Sequence, residues 1–195
     1  MFDASGLKVY GEGEWKVRTH GKSKRRTWRK IHIAMDPNTH DIVLAELTEN
    51  SSNDCNVLKN LLEEMGSGLL RVYGDGIYDT EGCYEAISKK KAEPLIPARR
   101  NAKYKHSAKD HLQARNQQIL DIVALGGDEI ARSLWKKLKG YHKRSLGETS
   151  FFRFKTILGH ALKSRKMCIQ IIECKIKCMI LNKMNQLGLP LSYIA

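Results

Sequence analysis

The stretch RKIHIAMD-PNTH-DIVLAELT, residues 29–48, constrains the fold more than any other part of the chain. Ile31, Ile33 and Met35 alternate with Lys30, His32 and Ala34, the period-two pattern of a strand. Pro37-Asn38-Thr39-His40 makes a turn, and Asp41 to Thr48 returns as the partner strand of a hairpin. The period then changes. Val57–Met65 carries Leu58, Leu61, Leu62 and Met65 at helical spacing, and Gly66 and Gly68 stop that helix. Leu69–Gly74 is a short apolar run that reads as a buried strand ending at Asp75-Gly76. Asp79-Thr80 caps a helix through Ile87, and Glu93–Pro97 reads as a strand whose prolines suit an edge. Helices are expected from about Ser107 (as N-cap) to Ala124, and then over 128–138, 141–155 and 165–187.

With Asp3–Tyr10 as a first strand, the order is three strands, helix, strand, helix, strand, then helices. This predicts an α/β protein with a mixed sheet. The first three strands are antiparallel, the strands reached through helices are parallel, and helices lie on both faces. A chain of 195 residues fits a single domain, 1–195, in which 160–195 is a C-terminal helical segment.

Thirty-four Lys and Arg against 21 acids give a net charge of +13, which points to an anionic partner, nucleic acid before membrane. No apolar run has the 18 or so residues of a membrane span, and MFDASG has none of the character of a signal peptide, so a cytoplasmic protein is expected. The five cysteines include no C-x-x-C pair and have no zinc-type spacing. Cys174 and Cys178, set among Ile171, Ile176 and Ile180, read as core.

Within YHKRSLGETSFFRFK, residues 141–155, Tyr141, Arg144, Glu148 and Lys155 recur at gaps of three, four and seven. On a helix turning about 100° per residue they share one stripe. Leu146, Phe151, Phe154 and Leu158 supply apolar contact on the other faces. Two plainer readings fit as well. A Glu–Arg–Lys stripe is also a solvated salt-bridged face, and Ser145-Leu146-Gly147-Glu148 matches the capping box. His32 reads as structural.

Asp75 follows a short apolar strand, the position where open α/β sheets gather function. Asp3 lies in the first strand, which the proposed order makes a neighbour of the Asp75 strand. Two close carboxylates repel unless one is protonated or a cation bridges them. Glu148 from a helix would complete an oxygen-rich set of the kind hard divalent cations take. Singly, each acid has a plain alternative: a solvated terminal residue, a turn pair, or a cap.

Together these segments resemble the DDE transposases of bacterial insertion sequences, in particular the insertion-sequence-five group. DASGLKVYGEGEWKVRTHGKSKRRTWRK looks like the first-aspartate region of that family. Asp75-Gly76-Ile77-Tyr78 is similar to its second motif, D-[AG]-x-[YF]. Tyr141, Arg144, Glu148 and Lys155 match the third. The resemblance implies a ribonuclease H-like fold and cleavage and joining of DNA with Mg²⁺, or Mn²⁺ in its place. Asp3, Asp75 and Glu148 would be the catalytic, metal-binding triad, and Tyr141, Arg144 and Lys155 would contact DNA beside the scissile phosphate. Lys24, Arg25 and Arg26, within the basic run 22–30, would track the DNA backbone, and Arg99, Arg100, Lys103 and Lys105 form a second basic patch. The implied partners are double-stranded DNA, as terminal inverted repeats and target, and a second copy of the chain on that DNA. The implied location is the bacterial cytoplasm, on the nucleoid.

Two departures stand out. The chain begins two residues before Asp3, where relatives carry a substantial upstream region, so an N-terminally truncated catalytic domain is expected. Gly147 stands where a bulkier aliphatic residue is expected. The competing reading is a catalytically inactive remnant that still binds DNA.

Overall fold

A computed structural model describes residues 1–9, 28–106 and 109–188. The elements in chain order are β1 (Phe2–Val9), β2 (Trp28–Met35), β3 (Ile42–Glu49), α1 (Asp54–Glu64), β4 (Arg71–Tyr73), α2 (Glu81–Lys89), β5 (Glu93–Leu95), α3 (Gln113–Ala124), α4 (Glu129–Leu138), α5 (Ser145–Leu158), β6 (Ala161–Leu162) and α6 (Met167–Leu187). Single 3₁₀ turns occupy Gly76–Tyr78, Asp110–Leu112 and Tyr141–Arg144. The chain forms two compact units. One comprises Met1–Asp3 with Asn53–Gly147, the other the described residues of 4–52 and 148–195.

The second unit holds a four-stranded sheet in the order β3-β2-β1-β6. The expected hairpin forms, with Ile31 opposite Leu47 and Ile33 opposite Ala45 in an antiparallel ladder. β2 is an inner strand, and it is buried on both faces from Ile31 to Met35 rather than alternating in and out. His32 is among these buried residues, and its Nε2 lies 3.0 Å from Thr48 Oγ1. On the Ile31/Ile33 face, Leu7, Leu47 and Leu162 of the sheet meet Phe151 and Phe154 of α5 and Cys174, Cys178 and Leu181 of α6. Each large apolar side chain buried there contributes about 1.5–3 kcal/mol. The edge strand β3 is finished by α6. The Asn182 amide donates to Ile42 O and accepts from Ile42 N, both at 2.8 Å, standing in for a missing neighbour strand.

In the first unit, Asn53 caps α1 by accepting from Cys55 N at 2.9 Å. Val57, Leu58, Leu61 and Leu62 form its buried face. α1 packs on α2, which buries Cys83, Tyr84 and Ile87. Trp135 of α4 anchors a small cluster with Ile122 of α3 and Ala131.

Three expectations need correction. β4 and β5 pair in parallel, but as a separate two-stranded sheet, so the strand before Asp75 is not laddered to β1. The C-terminal segment opens with a strand, β6, parallel to β1 with Lys8 opposite Ala161, and is not purely helical. The segment from residue 141 starts as a 3₁₀ turn and becomes an α-helix only at Ser145. The N-cap expected at Ser107 lies outside the described residues; α3 itself starts at Gln113, directly after the 3₁₀ turn Asp110–Leu112.

The cysteines sort by burial. Cys168 is exposed and Cys55 half-buried, while Cys83, Cys174 and Cys178 are buried. Burial pushes the Cys174 thiol up to about 12 and that of Cys178 to about 11. Because the thiolate is the reactive form, an aromatic disulfide reagent at pH 8 is expected to label Cys168 rapidly and Cys174 and Cys178 only after unfolding. Native-state labelling of either at the rate of Cys168 would contradict this packing.

Candidate catalytic site

The second acidic motif sits on a turn whose geometry is tightly specified. β4 ends at Tyr73, and Asp75 then caps the 3₁₀ turn Gly76–Tyr78 by accepting from Ile77 N with Oδ1 at 2.9 Å. This fixes the carboxylate and leaves Oδ2 facing elsewhere. Gly74 is required by the packing, because a Cβ there would lie 2.9 Å from Cδ2 of the buried Tyr78. The Tyr78 phenol has its ionisation pushed well above the ordinary value, first by burial and then by the charges of Asp54, Asp75 and Asp3.

The third motif reaches the same turn. Gly140 adopts a left-handed conformation (φ 68°) that starts the 3₁₀ turn Tyr141–Arg144. Three residues complete a 3₁₀ turn, so Tyr141 and Arg144 stand one above the other. Their targets are consecutive residues. The Tyr141 hydroxyl donates to Gly74 O at 3.1 Å, and Arg144 Nη2 lies 3.8 Å from Asp75 Oδ2. The same Nη2 lies 3.7 Å from Asp3 Oδ1. Asp3 and Asp75, which the strand order fails to make neighbours, therefore converge on one guanidinium nitrogen.

The capping-box reading of Ser145 does not hold as a helix start. Ser145 has helical dihedrals (φ −62°, ψ −19°), continues directly from the 3₁₀ turn, and donates its hydroxyl to His142 O at 2.8 Å. An N-cap residue is extended. Gly147 is explained by Asp3, since a Cβ at 147 would lie 3.0 Å from Asp3 Oδ2 and 3.3 Å from Met1 Cε. The bulkier residue expected from the resemblance would press on Asp3 and Met1, which would have to shift by a few tenths of an ångström. Gly147→Val is expected to destabilise by about 1–3 kcal/mol through overpacking against Asp3, measured as a shift of the urea midpoint. An unchanged midpoint would refute the close approach.

Glu148 follows in the first turn of α5, with an exposed side chain. Lys155, two turns further on, donates to Ser5 Oγ of β1 at 2.6 Å. Lys24, Arg25 and Arg26 lie outside the described residues. The second basic patch turns out to be partly internal support. Arg99 donates to Gly76 O at 3.3 Å and Ile77 O at 3.4 Å, bracing the turn that carries Asp75, and Arg100 pairs with Glu129 at 3.3 Å.

Sequence reasoning missed one arrangement. Asp79, taken as a helix cap, has a side chain only 1 % exposed, paired with Arg115 Nε at 2.7 Å. It also accepts from Arg115 Nη2 at 3.4 Å and from Arg99 N at 2.9 Å. Thr80 takes the N-cap position of α2. Nothing in the sequence distinguishes Asp79 from a capping aspartate, because its partners are 20 and 36 residues away.

Among the described residues no group of three or more His, Cys, Asp or Glu is assembled as a metal site. The Asp3/Asp75 pair nonetheless suits a hard divalent cation. Two carboxylate oxygens from different segments face one positive charge.

The transposase DDE domain family matches residues 1–183, and the chain belongs to that family. No solved structure matches it. No described helix is long and apolar enough to cross a membrane.

Proposed function

We propose that this chain is a transposase catalytic core that cuts DNA phosphodiesters at the ends of a mobile element and joins the freed 3′-hydroxyl to target DNA. The observation that supports the reading is the meeting of Asp3 and Asp75 at Arg144, residues drawn from the three segments whose sequences resemble the motifs of the family. Asp3, Asp75 and Glu148 would hold Mg²⁺, or Mn²⁺ in its place, through their carboxylate oxygens. A bound ion would supply Lewis-acid activation of the attacking oxygen and charge stabilisation of the leaving one. Water attacks first, and the 3′-hydroxyl attacks in the joining step.

The cationic side chains position the DNA. Arg144 suits bidentate contact with phosphate, Lys155 acts as a point charge, and Tyr141 offers a hydroxyl and a stacking face. Lys24, Arg25 and Arg26 follow the backbone, in keeping with the net charge of +13. The partners are the terminal inverted repeats and target DNA, held by a pair of chains in the bacterial cytoplasm.

The test is the chemistry of the cut ends. Supercoiled plasmid incubated with the chain and Mg²⁺ or Mn²⁺ is expected to give nicks whose 3′ ends a DNA polymerase extends, and none in EDTA. Salt-sensitive DNA binding without nicking in either metal would instead favour a non-catalytic DNA-binding remnant.

A further inference from the structure

We infer that Arg99 and Arg132 are positioning residues for Asp75: Arg99 fixes the peptide group that holds the Asp75 carboxylate, and Arg132 fixes Arg99. The inference rests on the proposed reading of Asp75 as a cation ligand.

The peptide group between Gly76 and Ile77 is one plane with a carbonyl at one end and an N–H at the other. Its N–H, that of Ile77, donates to Asp75 Oδ1 at 2.9 Å. Its carbonyl, that of Gly76, accepts from Arg99 Nε at 3.3 Å. Turning this plane would aim the N–H away from the carboxylate, so the guanidinium that holds one end sets the direction of the other. Arg99 Nη2 also donates to the next carbonyl, Ile77 O, at 3.4 Å. A planar guanidinium bonded to two successive carbonyls fixes an orientation, which a single point contact does not. The turn has other donors. Asp79 N reaches Gly76 O at 3.3 Å, and Cys55 Sγ reaches Ile77 O at 3.6 Å. The turn therefore persists without Arg99. What Arg99 adds is the angle at which Asp75 is presented.

An exposed arginine outside any helix or strand can serve as a strut only if its own backbone is held. Here it is held from two directions. The buried Asp79 accepts from Arg99 N with Oδ2 at 2.9 Å. Arg132 donates through Nη1 to Ala98 O at 2.9 Å, and through Nη2 to Arg99 O at 3.4 Å and Arg100 O at 3.3 Å. One guanidinium satisfies three consecutive carbonyls of a segment that has no strand ladder to bond them. Arg132 itself stands on α4 between the buried Ala131 and Trp135, so its base is fixed by the core. The path from Arg132 to the 98–100 backbone, the Arg99 fork, the Gly76–Ile77 peptide and Asp75 Oδ1 has no gap.

The test uses the full chain, calorimetric titration with Mn²⁺, and amide exchange of the metal-free protein followed by NMR. Arg99→Gln is expected to melt with the parent, to bind Mn²⁺ about tenfold more weakly, and to exchange the Ile77 amide several-fold faster while Leu61 in α1 exchanges as before. Arg132→Gln is expected to show the same pair of changes. The double variant should lose no more Mn²⁺ affinity than Arg99→Gln alone, because both substitutions break one path. If Arg132→Gln does not fold, Arg132→Lys, which keeps the charge without the fork, takes its place in the cycle.

Parent-like exchange at Ile77 in Arg99→Gln overturns the positioning. So does parent-like Mn²⁺ binding by that variant when Asp75→Asn loses the ion. Losses that add in the double variant overturn the relay through Arg132. A loss confined to duplex DNA binding, with the salt dependence reduced by about one unit of slope, would make Arg99 a phosphate contact instead and also overturns the inference. If the parent binds no Mn²⁺, or Asp75→Asn binds it as tightly as the parent, the cation-ligand reading itself fails, and exchange at Ile77 still decides whether Arg99 holds the turn.

Discussion

Asp79→Ala is expected to lower the stability of the chain by about 3–5 kcal/mol, the cost of breaking a buried ion pair from one side. The substitution removes the acceptor of the Arg99 amide and both carboxylate acceptors of Arg115, a guanidinium whose side chain is only 14 % exposed and which keeps only its bond to Lys103 O. The damage extends to the candidate site, because Arg99 holds the Gly76 and Ile77 carbonyls of the turn that presents Asp75. Urea denaturation followed by circular dichroism measures the effect, with Glu93→Ala as a control for an exposed pair with Arg71. A loss for Asp79→Ala below about 1 kcal/mol, the ordinary value of a surface pair, would contradict the burial on which the argument depends.

Asp75→Asn is expected to do the opposite: leave the fold intact and remove the chemistry. The asparagine side-chain oxygen still accepts from Ile77 N, so the cap survives. What is lost is the negative charge facing Arg144 and, on the proposed reading, one oxygen ligand of the cation. Even indirect partners of a metal are worth about 10–100-fold in affinity or activity, so the loss of metal-dependent cleavage should be at least about 100-fold. Thermal unfolding within a degree or two of the parent, together with lost cleavage, is the expected pair of results. Cleavage retained at near parental rate would remove Asp75 from the site.

The sequence discloses its local elements well. The hairpin of β2 and β3 follows from strict alternation and a Pro-Asn turn, and α1 from leucines at helical spacing bounded by glycines. It discloses sheet membership poorly. β4 and β5 each have only three residues, and nothing in three residues says which sheet they join. β6 has two and carries no periodic signal at all. The Tyr141–Arg144 turn was legible as helix but not as 3₁₀, although a gap of three residues is the repeat of that tighter turn.

That Asp3, Asp75, Tyr141 and Arg144 stand out was legible from residue type and spacing. Gly147 was not, because its reason is the approach of a residue 144 positions earlier in the chain. Asp79 was hidden for the same reason, its partners being remote in sequence. Long-range polar contacts leave no periodic trace, whereas core burial does. That is why Cys174 and Cys178 were recognised as core from their neighbours alone.

The most direct test of the central claim is a side-by-side incubation of supercoiled plasmid with the parent chain and its Glu148→Gln variant in Mg²⁺ or Mn²⁺. The account predicts nicking by the parent and none by Glu148→Gln, with both proteins folded and bound to DNA. Equal nicking by both would contradict the assignment of Glu148 to a metal-dependent phosphoryl-transfer site.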